Sequence, residues 1–231
     1  MKRIAWFLRA AAPCVAATGL LVFGCKDLGS EVIDPTPNIQ LSIQAAGSVL
    51  HKPNHEVLHL ISVKALLKKI VFADAGSDDS SDVHRGPMIV NLDLNARMTT
   101  LDATRIRPGV YDRVRFFLHK PEDDEIPSDP AFRTGSGGDD RYSVVITGLY
   151  HDTPFTFTSR ESARQELQMG TPLTVPESGI VNLTLKVDPY AWFEDNGLVL
   201  DPIVQEKQID DRIKGSFASA FKDNDRNGDP D

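Results

Sequence analysis

The sequence predicts a mainly β protein, an antiparallel β-sandwich with one C-terminal amphipathic helix. Three observations carry that prediction. Apolar and polar residues alternate at a period of two through many short runs. Gly, Pro, Asp and Asn fall between those runs, where turns belong. Only near the C-terminus does the spacing become helical.

The first residues read as an export segment, not a structural one. Lys2, Arg3 and Arg9 form a basic start. Ala10 to Phe23 is an apolar stretch of about 14 residues, short of the roughly 20 needed to span a bilayer. Val22-Phe23-Gly24-Cys25 then has the form of a lipobox, with bulky Phe23 where a small residue is more usual. The expectation is a lipoprotein signal peptide over 1–24 and acylation of Cys25. Cys14 falls inside the signal, so the mature chain keeps no thiol for a disulfide, a thiolate metal site or a nucleophile. Residues 25–37 carry Gly29, Ser30, Pro35 and Pro37 and read as a tether.

Residues 38–202 are expected to form the sandwich. Ile39, Leu41 and Ile43 begin it. Val63 to Phe72 reads as a further strand, although Lys64, Lys68 and Lys69 could also mark a helix face. Val114, Phe116 and Leu118 alternate with Arg113, Arg115 and Phe117. Val144, Ile146 and Tyr150 share a face, and Phe155 and Phe157 follow Pro154, which suits a strand start. Val181, Leu183, Leu185 and Val187 against Asn182, Thr184 and Lys186 give the cleanest alternation. Pro108-Gly109 and Thr147-Gly148 mark turns or bulges. Asp74 to Arg85 reads as an exposed loop, and Pro121 to Asp140 as the longest irregular segment.

Residues 203–231 should pack on the same domain. Ile209, Ile213, Phe217, Ala220 and Phe221 recur at helical spacing, with Asp201-Pro202 as a start signal. A helix is expected from about Val204 to Lys222.

The chain has 25 Lys and Arg against 33 Asp and Glu, a formal net charge of −8. Loss of the three basic residues of the signal would take it to −11. Such a surface repels phosphate backbones, which argues against nucleic acid as a partner.

The sharpest motif follows the expected helix. Asp223, Asp225 and Asn227 stand at positions 1, 3 and 5 of an EF-hand-type loop, and Gly228 at position 6. Asp229 offers a backbone carbonyl, and Asp231 a carboxylate in place of the missing Glu at position 12. Hard oxygen donors on a short loop suit Ca²⁺. A frayed acidic tail is the plainer alternative. His119, Glu122, Asp123, Asp124 and Glu125 form a second cluster at a strand end, where a solvated acidic loop is the plainer reading. His51, His55 and His59 recur at spacings of four and could bind Zn²⁺ or Cu²⁺ on a helix. Pro53 opposes that helix. Tyr190, Trp192 and Phe193 could stack on sugars, though such residues are usually core.

No Gly-x-Ser-x-Gly elbow, His-Glu-x-x-His or phosphate-binding glycine loop occurs. The expectation is a non-enzymatic, lipid-anchored envelope module that binds an unidentified protein or ligand. A calcium-binding surface module is the alternative, and a cryptic hydrolase or carbohydrate-active protein the second.

Several stretches carry a resemblance. They are Gly109 to Glu125, Arg141-Tyr-Ser-Val-Val, Thr153 to Ser159 and the tail Asp223 to Asp231. Together they resemble the β-sandwich domains of unknown function on bacterial cell-surface lipoproteins. The resemblance implies a surface β domain and supplies no site residue.

Overall fold

A computed structural model describes residues 36–45, 57–74, 80–215 and 217–231. The export segment, Cys25, most of the tether, and His51 and His55 lie outside the described residues. Pro35 to Asp231 form one unit by their internal contacts. Among the described residues, no helix is long and apolar enough to cross a membrane.

The alternating runs become strands because burying one face of each removes apolar area from water. Each fully buried Leu, Ile or Phe is worth about 1.5–3 kcal/mol. In chain order the strands begin with β1 (Ile39–Ala45), β2 (Leu58–Asp74), β3 (Ser80–Asn91) and β4 (Thr99–Thr104). β5 (Gly109–Leu118), β6 (Val144–Tyr150), β7 (Thr153–Ser159) and β8 (Ala163–Val175) follow. Last come β9 (Val181–Val187), β10 (Glu194–Asp195), β11 (Leu198–Val199) and β12 (Phe217–Lys222). One sheet has the order β12-β9-β1-β4. A larger one runs β7-β6-β2-β5-β8, with β3 also paired to β2, and β10 and β11 form a separate two-stranded ribbon. Ile39, Leu41 and Ile43 from the first sheet share one core with Leu67, Ile70, Phe72, Val114 and Phe116 from the second. The described residues therefore form the expected mainly β sandwich with one α-helix.

Most pairings are antiparallel, but β1 and β9 run parallel from Ile39↔Val181 to Ala45↔Val187. Gly148 marks a bulge, as expected: opposite it β2 skips Ile61, pairing Leu60 with Gly148 and Ser62 with Thr147. A Cβ on Gly148 would lie 2.5 Å from the His59 carbonyl oxygen. Pro154 lies on β7, an edge strand, where a missing N–H costs least.

The expected helix from Val204 to Lys222 needs correction. α1 covers only Glu206–Ile213, with Ile209 and Ile213 as its buried stripe. Asp201 does act on the chain ahead of it, but it caps a turn: its Oδ1 accepts from the N–H groups of Ile203 and Val204. After Gly215 the chain becomes β12 and hydrogen-bonds to β9. The open edge of β9 needs backbone partners, and a strand supplies them where a helix cannot. The Asp74 to Arg85 loop is corrected too: from Ser80 onward it belongs to β3.

The Pro121–Asp140 segment has no strand but is not loose. It lies across the outer face of the larger sheet. Phe132 from the segment is fully buried there with Leu66 of β2 and Val145 of β6, forming a second small core. The segment acts as a strap.

Candidate metal centre

β12 delivers the chain into the terminal loop. Its last pair, Lys222↔Leu183, places the loop over the outer face of β9. That face carries Asn182 and Thr184, both buried although polar and outward-pointing. The loop is what covers them. Asn182 donates its backbone N–H to Asn224 Oδ1 at 3.1 Å and its Nδ2 to the Asn224 carbonyl at 3.4 Å.

Asp223 is the hub of the loop and is fully buried. Its Oδ2 accepts from Thr184 Oγ1 at 2.8 Å and from the Gly228 N–H at 3.1 Å. Its Oδ1 accepts from the Asn227 N–H at 3.0 Å. Gly228 has φ +87°, a left-handed conformation that favours glycine. A Cβ there would also meet Gln44 Oε1 at 2.4 Å.

Asp225 and Asp231 complete the group. One ligand oxygen each from Asp223, Asp225 and Asp231 lie within 4.8 Å of one another, close enough to hold one metal ion. Among the described residues, no other set of His, Cys, Asp or Glu meets that condition. Asp231 Oδ2 accepts from the Asn224 N–H at 3.0 Å and pairs with Lys222 Nζ at 3.1 Å. The N–H first and the ammonium second hold its carboxyl below the usual range, so it stays anionic. Asn227 turns its Oδ1 to the Asp229 N–H, and the Asp229 carboxylate faces Lys186. So Asp223, Asp225 and Asp231 converge, whereas the side chains of Asn227 and Asp229 serve the loop and a lysine. The chain enters the loop from a strand, not from the helix expected of an EF-hand.

The second cluster is spent on the strap. His119 is buried and its Nε2 lies 2.5 Å from Glu125 Oε2. Glu122 pairs with Lys68, which keeps its carboxyl low. Asp123 pairs with Arg141 at 2.6 Å. Asp124 is exposed. Arg133 donates to the carbonyls of Glu125 and Asp123 from within the strap. Each of these acids except Asp124 thus faces a basic side chain, and the arrangement fastens the segment to the sheet. Lys64–Asp129 at 2.6 Å does the same further along, a contact the acidic composition alone did not reveal.

Of the three histidines at fourfold spacing, only His59 is described. It sits exposed on β2, not on a helix. Tyr190, Trp192 and Phe193 are buried, and Phe193 packs edge-on against Phe155 and Phe157. Their rings belong to the core and offer no stacking face.

No family model matches the chain, and no curated protein matches its sequence. Among solved structures, MbnP from Methylosinus trichosporium matches with a TM-score of 0.44 and 9% identity, over 71% of this chain and 80% of that one.

Proposed function

We propose that this chain is an envelope-tethered, non-enzymatic β-sandwich that binds Ca²⁺ in its C-terminal loop. The convergence of Asp223, Asp225 and Asp231 supports this most directly. Three carboxylates brought within reach of one another repel, and a divalent cation turns that repulsion into binding. Oxygen donors without sulfur or imidazole favour a hard cation. Asp231 then acts at position 9 of the loop. Buried Asp223 joins the ion to β9 through Thr184, so ion binding would fasten the last strand to the sheet. The tether is read from the basic start, the apolar run and Cys25, and the non-enzymatic role from the missing catalytic motifs.

The test is thermal unfolding of the chain from residue 26 in EDTA and then in millimolar Ca²⁺. A hundredfold excess over Kd stabilises the native state by about 2.7 kcal/mol. For a chain of this size that raises Tm by roughly 5–10 °C. The Asp225→Asn plus Asp231→Asn variant should still fold in EDTA and show no rise with Ca²⁺. Identical wild-type curves in EDTA and Ca²⁺ would remove the metal from the proposal. Cys25→Ser, expressed in a bacterium, should leave the membrane fraction; retention there would remove the lipid anchor.

A further inference from the structure

β2 runs through the middle of its sheet and is irregular at one point that both neighbours share. Its register against β3 and against β5 shifts between Leu67 and Lys69. Against β5 the extra residue is Lys68, whereas against β3 the extra residue lies on β3 itself. Across from it, β3 pairs Met88 with Leu67 and Arg85 with Lys69, leaving Gly86 and Pro87 unpaired. Gly86 has φ +102°, which other residues rarely adopt. Bulges of this kind re-aim side chains and often lie beside binding sites.

The consequence is a dent in the outer face, about 270 Å³ in volume, lined by Lys68, Lys69, Gly86 and Phe117. Regular alternation would send adjacent lysines to opposite faces; the bulge brings both to one rim. Phe117 is the register partner of Lys69 on β5 and supplies an apolar ring. A Cβ on Gly86 would have nothing within 4 Å, so any side chain there would enter open space that glycine leaves clear. Lys68 pairs with Glu122, but both side chains are about half exposed, at 47% and 61%, and such a pair is readily exchanged. Two lysines side by side on a dent stand out on a chain whose net charge is −8.

We propose that this dent binds a small anion carried on a flat ring, a phosphorylated or carboxylated aromatic. The anion lies between the Lys68 and Lys69 ammonium groups, displacing the partner that each lysine now holds, which for Lys68 is Glu122. The ring lies against Phe117, over the clearing left by Gly86. This site is separate from the terminal loop and does not depend on it.

The test titrates phenyl phosphate, inorganic phosphate and phenol into the chain from residue 26, at low salt, by calorimetry. Phenyl phosphate should saturate and bind at least about tenfold more tightly than either fragment. Lys68→Gln plus Lys69→Gln should weaken it by about tenfold or more. Phe117→Leu should weaken phenyl phosphate and leave inorganic phosphate unchanged. Lys207→Gln, on the exposed face of α1, should change nothing. Unfolding midpoints establish that each variant is folded. No saturation by about 10 mM phenyl phosphate, a Kd beyond the weak millimolar range, overturns the proposal. Equal affinity for phenyl phosphate and inorganic phosphate overturns the ring contact and with it the proposal. So does binding that the double lysine variant retains.

Discussion

Replacing Phe132 with alanine isolates what the strap contributes. Phe132 is fully buried, yet it packs outside the main core, against Leu66 and Val145 with Ile89, Ala131 and Tyr142 at the margin. Phe→Ala at a buried site costs about 3–5 kcal/mol. One wall of this cluster is a segment without strands, which can settle into the vacated space. The lower end, about 3 kcal/mol, is therefore expected. At a urea slope of about 3 kcal/mol/M for a chain of this length, the midpoint should fall by roughly 1 M. The loss should also be local. Arg133 and Arg141, held by carbonyls of the same segment, should become accessible to trypsin before any other site. A midpoint within about 0.3 M of wild type, with an unchanged cleavage pattern, would refute the strap as an ordered layer.

Other perturbations test other parts. Gly148→Ala drives a methyl to 2.5 Å from the His59 carbonyl oxygen and 2.8 Å from the Phe155 ring. It should cost about 2–3 kcal/mol, read as a lower Tm; an unchanged Tm would mean that the bulge gives way freely. Asp210 is half-buried on α1, and one of its oxygens is buried without a partner. Burial raises its carboxyl above the usual range, with the Ser159 hydrogen bond acting against the rise. Its folded pKa thus exceeds the unfolded one. The associated stability is full below the unfolded pKa and is lost as pH climbs through the folded value. Asp210→Asn should therefore be more stable than wild type at pH 7, by up to about 1 kcal/mol after screening, and level with it near pH 4. Equal urea midpoints at both pH values would contradict this. Asp223→Ala in EDTA leaves the Gly228 N–H and the Thr184 hydroxyl without their carboxylate. Each stranded group costs about 1–3 kcal/mol, so a clear loss of stability without any metal is expected; no loss would show that the loop is not organised by Asp223.

The strands were legible where burial is one-sided. Val181, Leu183, Leu185 and Val187 point into the core, and a period of two records that directly. Phe217 to Phe221 was misread because Ala220 and Phe221 fit either period over so short a run. The deciding fact, an open edge on β9, is remote in sequence. The parallel partnership of β1 and β9 was illegible for the same reason. The terminal loop was legible because its converging acids, Asp223, Asp225 and Asp231, lie in one short stretch of chain. Its burial was not, although Asn182 and Thr184 are short polar groups that a covering loop can satisfy. The strap looked solvated because acids dominate it. The cations that neutralise it, Lys64 and Lys68, come from a strand more than fifty positions earlier. Only Phe132, a large apolar residue inside a polar run, could have hinted at the second core.

The parallel pair also sets an order of events. β1 lies between β4 and β9, and its register with β9 joins residues separated by most of the domain. β9 in turn takes its other partner from β12, near the last residue of the chain. During synthesis from the N-terminus, the smaller sheet cannot close until β12 has emerged. The delay is written into the topology: β1 waits for β9, and β9 for β12.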